Sequence, residues 1–115
     1  MVKKSFEQAI NKAREIIKRF EKIEGKKWGV QASMIELSKQ VGDLSALVMA
    51  QEGYYPKNRG QDNPKYLATK EKLGDELADL LFMTIRLADL YEIDLEEAHY
   101  KALANAKSYL RSKGA

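Results

Sequence analysis

The chain contains no cysteine. Disulfides, thiolate metal sites and cysteine nucleophiles are therefore excluded. His99 is the only histidine, so a zinc site built on several imidazoles is excluded as well. Proline occurs twice, and no segment alternates apolar and polar residues as a half-buried strand would. No apolar run approaches the length of a membrane span. The stretch "MVKKSFEQAI" turns charged too soon for a secretory signal. Neither sign of charge dominates, with 20 Lys and Arg against 17 Asp and Glu. The net +3 is too small to require a nucleic-acid partner, though it suits an anionic ligand. These absences predict a cytoplasmic protein with no membrane partner.

What is present is helix-forming. The 115 residues suit one domain, 1–115, and 44% of them are apolar. Phe6, Ala9, Ile10, Ala13, Ile16, Ile17, Phe20 and Ile23 recur every three or four residues, with Ser5 placed to cap that helix. After "EGKKWGVQA", Met34, Leu37, Val41, Leu44 and Val48 mark a second helix running to about Glu52. "GYYPKNRGQD" is a basic, aromatic loop. Asn63 and Pro64 read as cap and first residue of a third helix, which reaches about Tyr91 on a stripe of Leu73, Leu77, Leu80, Thr84 and Leu87. Gly74 is a possible interruption of it. Asp94 and Glu97 form a capping box for a last helix to about Ser112. The pattern predicts an all-α, up-and-down four-helix bundle. Apolar residues such as Leu81, Phe82, Met83 and Ile85 point in most directions around the third helix, more than one bundle of this size would bury. Self-association as a homodimer or dimer of dimers is expected.

One polar pattern occurs twice. "QVGDLSAL" at Gln40–Leu47 and "ELADLLFM" at Glu76–Met83 each set an acid or amide three residues before an aspartate, inside an apolar segment. The i, i+3 spacing makes Gln40 and Asp43 neighbours on one helix surface, and likewise Glu76 and Asp79. At about 100° per residue, Glu76 falls between Met83 and Leu87 at the edge of the apolar arc, with Asp79 about 60° further round. Gln40 falls between Leu44 and Leu47, with Asp43 beside it. Gly42 and Ala78 lie within the pairs and would allow close helix approach. Antiparallel packing would bring Gln40, Asp43, Glu76 and Asp79 to one patch. A single pair of this kind is ordinarily a solvated edge beside a core. Two pairs in one register point to a shared task. Three carboxylates partly shielded from water repel one another unless a cation neutralises them. Oxygen ligands of this kind suit Mg²⁺ or Mn²⁺, and Mg²⁺ keeps positions open for substrate phosphates. On the last helix, Lys101 and Asn105 flank the arc of Leu95, Ala98, Ala102, Ala106 and Tyr109. That lysine can meet phosphate oxygens, and the asparagine a phosphate, a carboxylate or a water.

Together these residues resemble the MazG-like, all-α nucleoside triphosphate pyrophosphohydrolases, over roughly Trp28 to Tyr109. That family carries Glu-Glu-x-x-Glu on one helix, Glu-x-x-Asp on a later one and Lys-x-x-x-Asn on the next. "ELADLL" matches the second motif with Glu76 and Asp79, preceded by Asp75, and "KALAN" matches the third with Lys101 and Asn105. The first motif departs: in "KQVGD", Lys39 and Gln40 replace two acids and Asp43 replaces the third. Lys39 points about 100° away from Gln40 and need not enter the site. Glu36, one turn earlier, can supply the missing charge.

The resemblance implies a bundle of the all-α pyrophosphatase type and hydrolysis of a nucleoside triphosphate to a monophosphate and pyrophosphate. It implies metal ligands at Asp43, Glu76 and Asp79, with Gln40 offering a neutral oxygen. Glu36 or Asp43 would act as general base, Lys101 would stabilise phosphate charge, and Asn105 would orient ligands or substrate. Trp28, Tyr54 or Tyr55 would stack on the base. His99 reads as a core or interface residue. Two rival classes stand beside this one. The first is a catalytically degenerate family member acting as a nucleotide-binding or structural helical oligomer. The second is a nucleic-acid- or protein-binding bundle that uses Lys57–Arg59 and the tail Lys107–Lys113.

Overall fold

A computed structural model describes residues 5–54 and 69–115. Among the described residues the chain is all-α, with four helices and no strand: α1 Phe6–Glu24, α2 Val30–Gln51, α3 Lys70–Leu90 and α4 Leu95–Ser112. No described helix is long and apolar enough to cross a membrane. The expected cap at Asn63 and Pro64, Tyr55 and the basic loop residues Lys57–Arg59 lie outside the described residues.

The helix ends follow local chemistry. Ser5 is extended, its side chain accepts from the Gln8 N–H, and the Gln8 side chain accepts from the Ser5 N–H. This reciprocal box satisfies two donors that the first turn of a helix leaves open. Ser5→Ala is expected to lower stability by about 1 kcal/mol. An unchanged denaturation midpoint would show that the box contributes nothing. Asp94 likewise accepts from the Glu97 N–H at the start of α4. Gly74 does not interrupt α3, which is continuous from Lys70 to Leu90. The helix ends with Glu92 in the left-handed region at φ 54°. There the Ile93 N–H donates to the Ala88 carbonyl and the Glu92 N–H to that of Asp89, the paired bonds of a Schellman ending.

Contacts divide the chain into two compact units, one of Met1–Lys27 with Ile85–Ala115 and one of Trp28–Thr84. In the first, Ile10, Ala13 and Ile17 of α1 are buried, as are Ile85, Arg86 and Ala88 of α3. Phe20 and Ile23, which continue the α1 stripe, are exposed. His99 is exposed too, its ring edge-on to Phe6, so it is not a core residue.

In the second unit the inner faces differ from the expected ones. Met34, Val41 and Val48 of the predicted α2 stripe are exposed, whereas Ser33 and Leu47 are buried. Leu37, Gln40 and Leu44 are half-buried. Ser33, Leu37, Gln40, Leu44 and Leu47 point within about 40° of one direction, a face turned about 60° from the predicted stripe. On α3, Leu77 and Thr84 are exposed, while Leu73, Glu76 and Leu80 are half-buried and Met83 is buried. Both faces have rotated toward the polar pairs. Gln40 lies between Leu44 and Leu47 as its sequence position predicts, whereas Glu76 sits within the inward face and not at its edge.

Candidate functional site

The rotation of α2 and α3 builds a polar cluster inside the Trp28–Thr84 unit. Glu36, Gln40 and Asp43 of α2 and Glu76 of α3 are half-buried, and Asp79 is exposed. Successive turns of α2 align their side chains. The Gln40 Nε2 donates to Glu36 Oε1 at 3.0 Å. The ammonium of Lys39 lies 3.7 Å from Glu36 Oε1 and 3.7 Å from Asp43 Oδ2. Asp43 bears electrostatically on Glu76 from α2, and Asp79 does so from three residues along α3 itself. Asp43 of the first pair and Glu76 of the second are thus near enough to interact electrostatically. Gly42 and Ala78 do not mediate the approach: both are exposed, and a Cβ added at Gly42 would meet nothing within 4 Å.

Glu76 is the strained member. Its Oε2 is buried without a hydrogen-bond partner. Its acidity is weakened, with a pKa raised above the ordinary 4.5, first by burial and then by the negative charges of Asp79 and Asp43. Lys39 opposes the shift, and Asp75 adds to it. The raised pKa means that the folded chain holds the Glu76 proton more tightly than the unfolded chain. As pH rises from 4.5 through the native pKa, this group makes the fold progressively less stable. Glu76→Gln is therefore expected to raise the melting temperature at pH 7 without metal. That gain should shrink as pH falls through the native pKa toward 4.5, and vanish below 4.5, where the parent carboxyl is protonated in both states. An equal difference between the two proteins at pH 7 and pH 4.5 would place the strain elsewhere.

Lys39 corrects the sequence reading, which turned it away from the site. Its flexible stem reaches one turn back to Glu36 and one turn on to Asp43, contacts that i, i+3 and i, i+4 spacing already allows. It stands where a cation is wanted, with 63% of its side chain exposed and so able to move off. Among the described residues, no three carboxylates or imidazoles lie close enough to grip a metal ion as they stand. The donor chemistry nonetheless fits a hard cation. Glu76 has a buried oxygen lacking a partner and two negative neighbours that a positive charge would relieve.

The other candidates are more dispersed. Trp28 is half-buried, just before the start of α2. Tyr54 is 72% exposed. Lys101 and Asn105 are exposed on α4, within the unit of Met1–Lys27 and Ile85–Ala115. That unit also contains a cleft of about 730 Å³, lined in part by Glu7, Arg14, Asp89, Glu92 and Glu96, none of them singled out in the sequence. Two of its acids are already engaged: Asp89 pairs with Arg14, and the nearby Asp94 caps α4.

Comparison with known proteins gives one relative to report. The chain is 31% identical over 72 residues to the uncharacterized protein YpjD of Bacillus subtilis. The alignment covers 63% of this chain and 59% of that protein, so the chain spans little more than half of its relative's length. No family model matches the chain, and no solved structure matches it.

Proposed function

We propose that the chain is a Mg²⁺-dependent nucleoside triphosphate pyrophosphohydrolase, releasing a nucleoside monophosphate and pyrophosphate. The observation that supports the proposal is Glu76 itself, with one oxygen buried and unpartnered and with the charges of Asp79 and Asp43 bearing on it. Asp43, Glu76 and Asp79 hold Mg²⁺ or Mn²⁺, with Gln40 as a neutral fourth donor. The bound ion supplies neutralisation of phosphate charge and a more acidic water. Glu36 or Asp43 takes the proton from the attacking water. Glu36 is half-buried beside Gln40 and so partly shielded from solvent. The roles of Lys101, Asn105 and Trp28 rest on the family resemblance alone. So do the choice of nucleotide, the bundle of pyrophosphatase type and a cytoplasmic location. Self-association completes the proposal, supported by the exposed apolar residues of α2, α3 and α4. The test is a screen for pyrophosphate release from the common nucleoside triphosphates with Mg²⁺ or Mn²⁺. Absence of release from all of them, with no metal-dependent rise in melting temperature, overturns the proposal.

A second reading is favoured by Lys39. Its ammonium already sits between Glu36 and Asp43, and Gln40 donates to Glu36 where the related motif would place another acid. A protein-borne cation then does part of the metal's electrostatic work. On this reading the chain is a catalytically degenerate relative that binds nucleotide or serves as a helical oligomer. Nucleotide binding without turnover would decide for it.

A further inference from the structure

Lys39 holds a place that its contribution to the fold does not explain. On α2 it follows Glu36 and precedes Asp43 by about one turn, and its ammonium lies 3.7 Å from one oxygen of each. Both distances are longer than a direct charge-assisted hydrogen bond, so the ammonium is shared between the two carboxylates and pinned by neither. With 63% of the side chain exposed, two such pairs add little stability. Yet its charge reaches further than these two partners. Among the described residues whose charge bears on Glu76, Lys39 alone is positive, against Asp79, Asp43 and Asp75. One ammonium thus acts on two acids of its own helix and on Glu76 of α3.

Charge limits what else the site can hold. Glu36, Asp43, Glu76 and Asp79 carry four negative charges when ionised, and Lys39 cancels one of them, leaving three. One divalent ion lowers that excess to one. A second would overshoot to a net positive site, in which two dications and an ammonium repel one another. Geometry agrees with charge. Lys39 fills the space between Glu36 Oε1 and Asp43 Oδ2, where a cation would bridge the two α2 acids. Gln40 engages the same Glu36 oxygen from another side, donating to it at 3.0 Å. The buried Oε2 of Glu76 has no such partner.

We infer that the site takes a single divalent ion at Glu76, and that Lys39 is its second cation, holding the position between Glu36 and Asp43 that another metal ion would otherwise fill. The inference rests on the metal site proposed above and sets its stoichiometry. Calorimetric titration of the full chain with Mn²⁺ alone tests it. Electron paramagnetic resonance then reports whether bound ions are close enough to couple, as in sites holding two ions about 4 Å apart. The parent should bind about one Mn²⁺ per chain, magnetically isolated. Lys39→Met removes the charge and keeps most of the stem, and should bind about two ions with the spectrum of a coupled pair. Lys39→Arg keeps the charge and should behave as the parent. Because Lys39 is exposed, all three should give the same helical circular dichroism. Lys39→Gln takes the place of Lys39→Met should that variant not fold. Two ions bound by the parent, or one by the uncharged variant, overturns the role of Lys39 and leaves the metal site standing. Two ions bound by Lys39→Arg does the same, since the count would then not follow the charge. No Mn²⁺ bound by the parent up to about 1 mM overturns the metal site itself, and this inference with it.

Discussion

Asp79→Asn is expected to reduce Mg²⁺-dependent pyrophosphate release by about a hundredfold or more while leaving the helical circular dichroism unchanged. Asp79 is exposed, so the near-isosteric amide removes little packing. Its negative charge is the largest electrostatic burden that another residue places on Glu76, second to burial itself. Removing that charge takes one carboxylate from a donor set that already has glutamine in place of one acid. The same change relieves Glu76, so the variant should be slightly more stable than the parent in the absence of metal. Activity and stability then move in opposite directions, as they do when a charged site is built against a cost to the fold. Release at the parental rate by the purified variant would remove Asp79 from the metal set. A variant less stable than the parent without Mg²⁺ would contradict the electrostatic account of Glu76.

Gln40→Glu should do the reverse. At present the Gln40 amide donates to Glu36 Oε1 at 3.0 Å, and the Lys39 ammonium lies 3.7 Å from the same oxygen. A glutamate at position 40 loses that donor and faces Glu36 as a like charge on a half-buried surface. The expected cost without metal is about 1–2 kcal/mol, or several degrees in melting temperature. Mg²⁺ should return more stability to the variant than to the parent, because a ligand of the native state stabilises in proportion to its affinity. Pyrophosphate release should rise with it. Lys39→Met gives an independent check: removing the resident ammonium should also tighten Mg²⁺ binding, without adding a carboxylate. An identical Mg²⁺ shift in parent and Gln40→Glu, with no gain in turnover, would take Gln40 away from any metal and decide for the scaffold reading.

The helices themselves were legible because their signals are local. Ser5 and Asp94 cap through atoms three residues away, and α4 ends at Ser112 as its sequence pattern predicts. The i, i+3 repetition of the polar pairs was equally local. It identified Gln40, Asp43, Glu76 and Asp79 before any coordinates. Which arc of each helix turns inward was another matter. α2 carries apolar residues around much of its circumference: Met34, Ile35, Val41 and Val48 outside, Leu37, Leu44 and Leu47 inside. Such a helix has several arcs of similar hydrophobicity, and periodicity alone does not choose among them. The choice depends on how its side chains fit those of α3, which is a property of the pair. Packing turned the faces about 40–60° from the expected stripes, moving Glu76 from the rim into the inward surface. Lys39 is a counter-ion for a local reason, since Glu36 and Asp43 lie one turn before and one turn after it on α2. By itself the sequence determined four helices, the caps of the first and last and a spaced set of acids, while α3 begins at Lys70, later than its pattern predicts. Only tertiary packing decided that Glu76 of that set would be left with a buried, unpartnered oxygen.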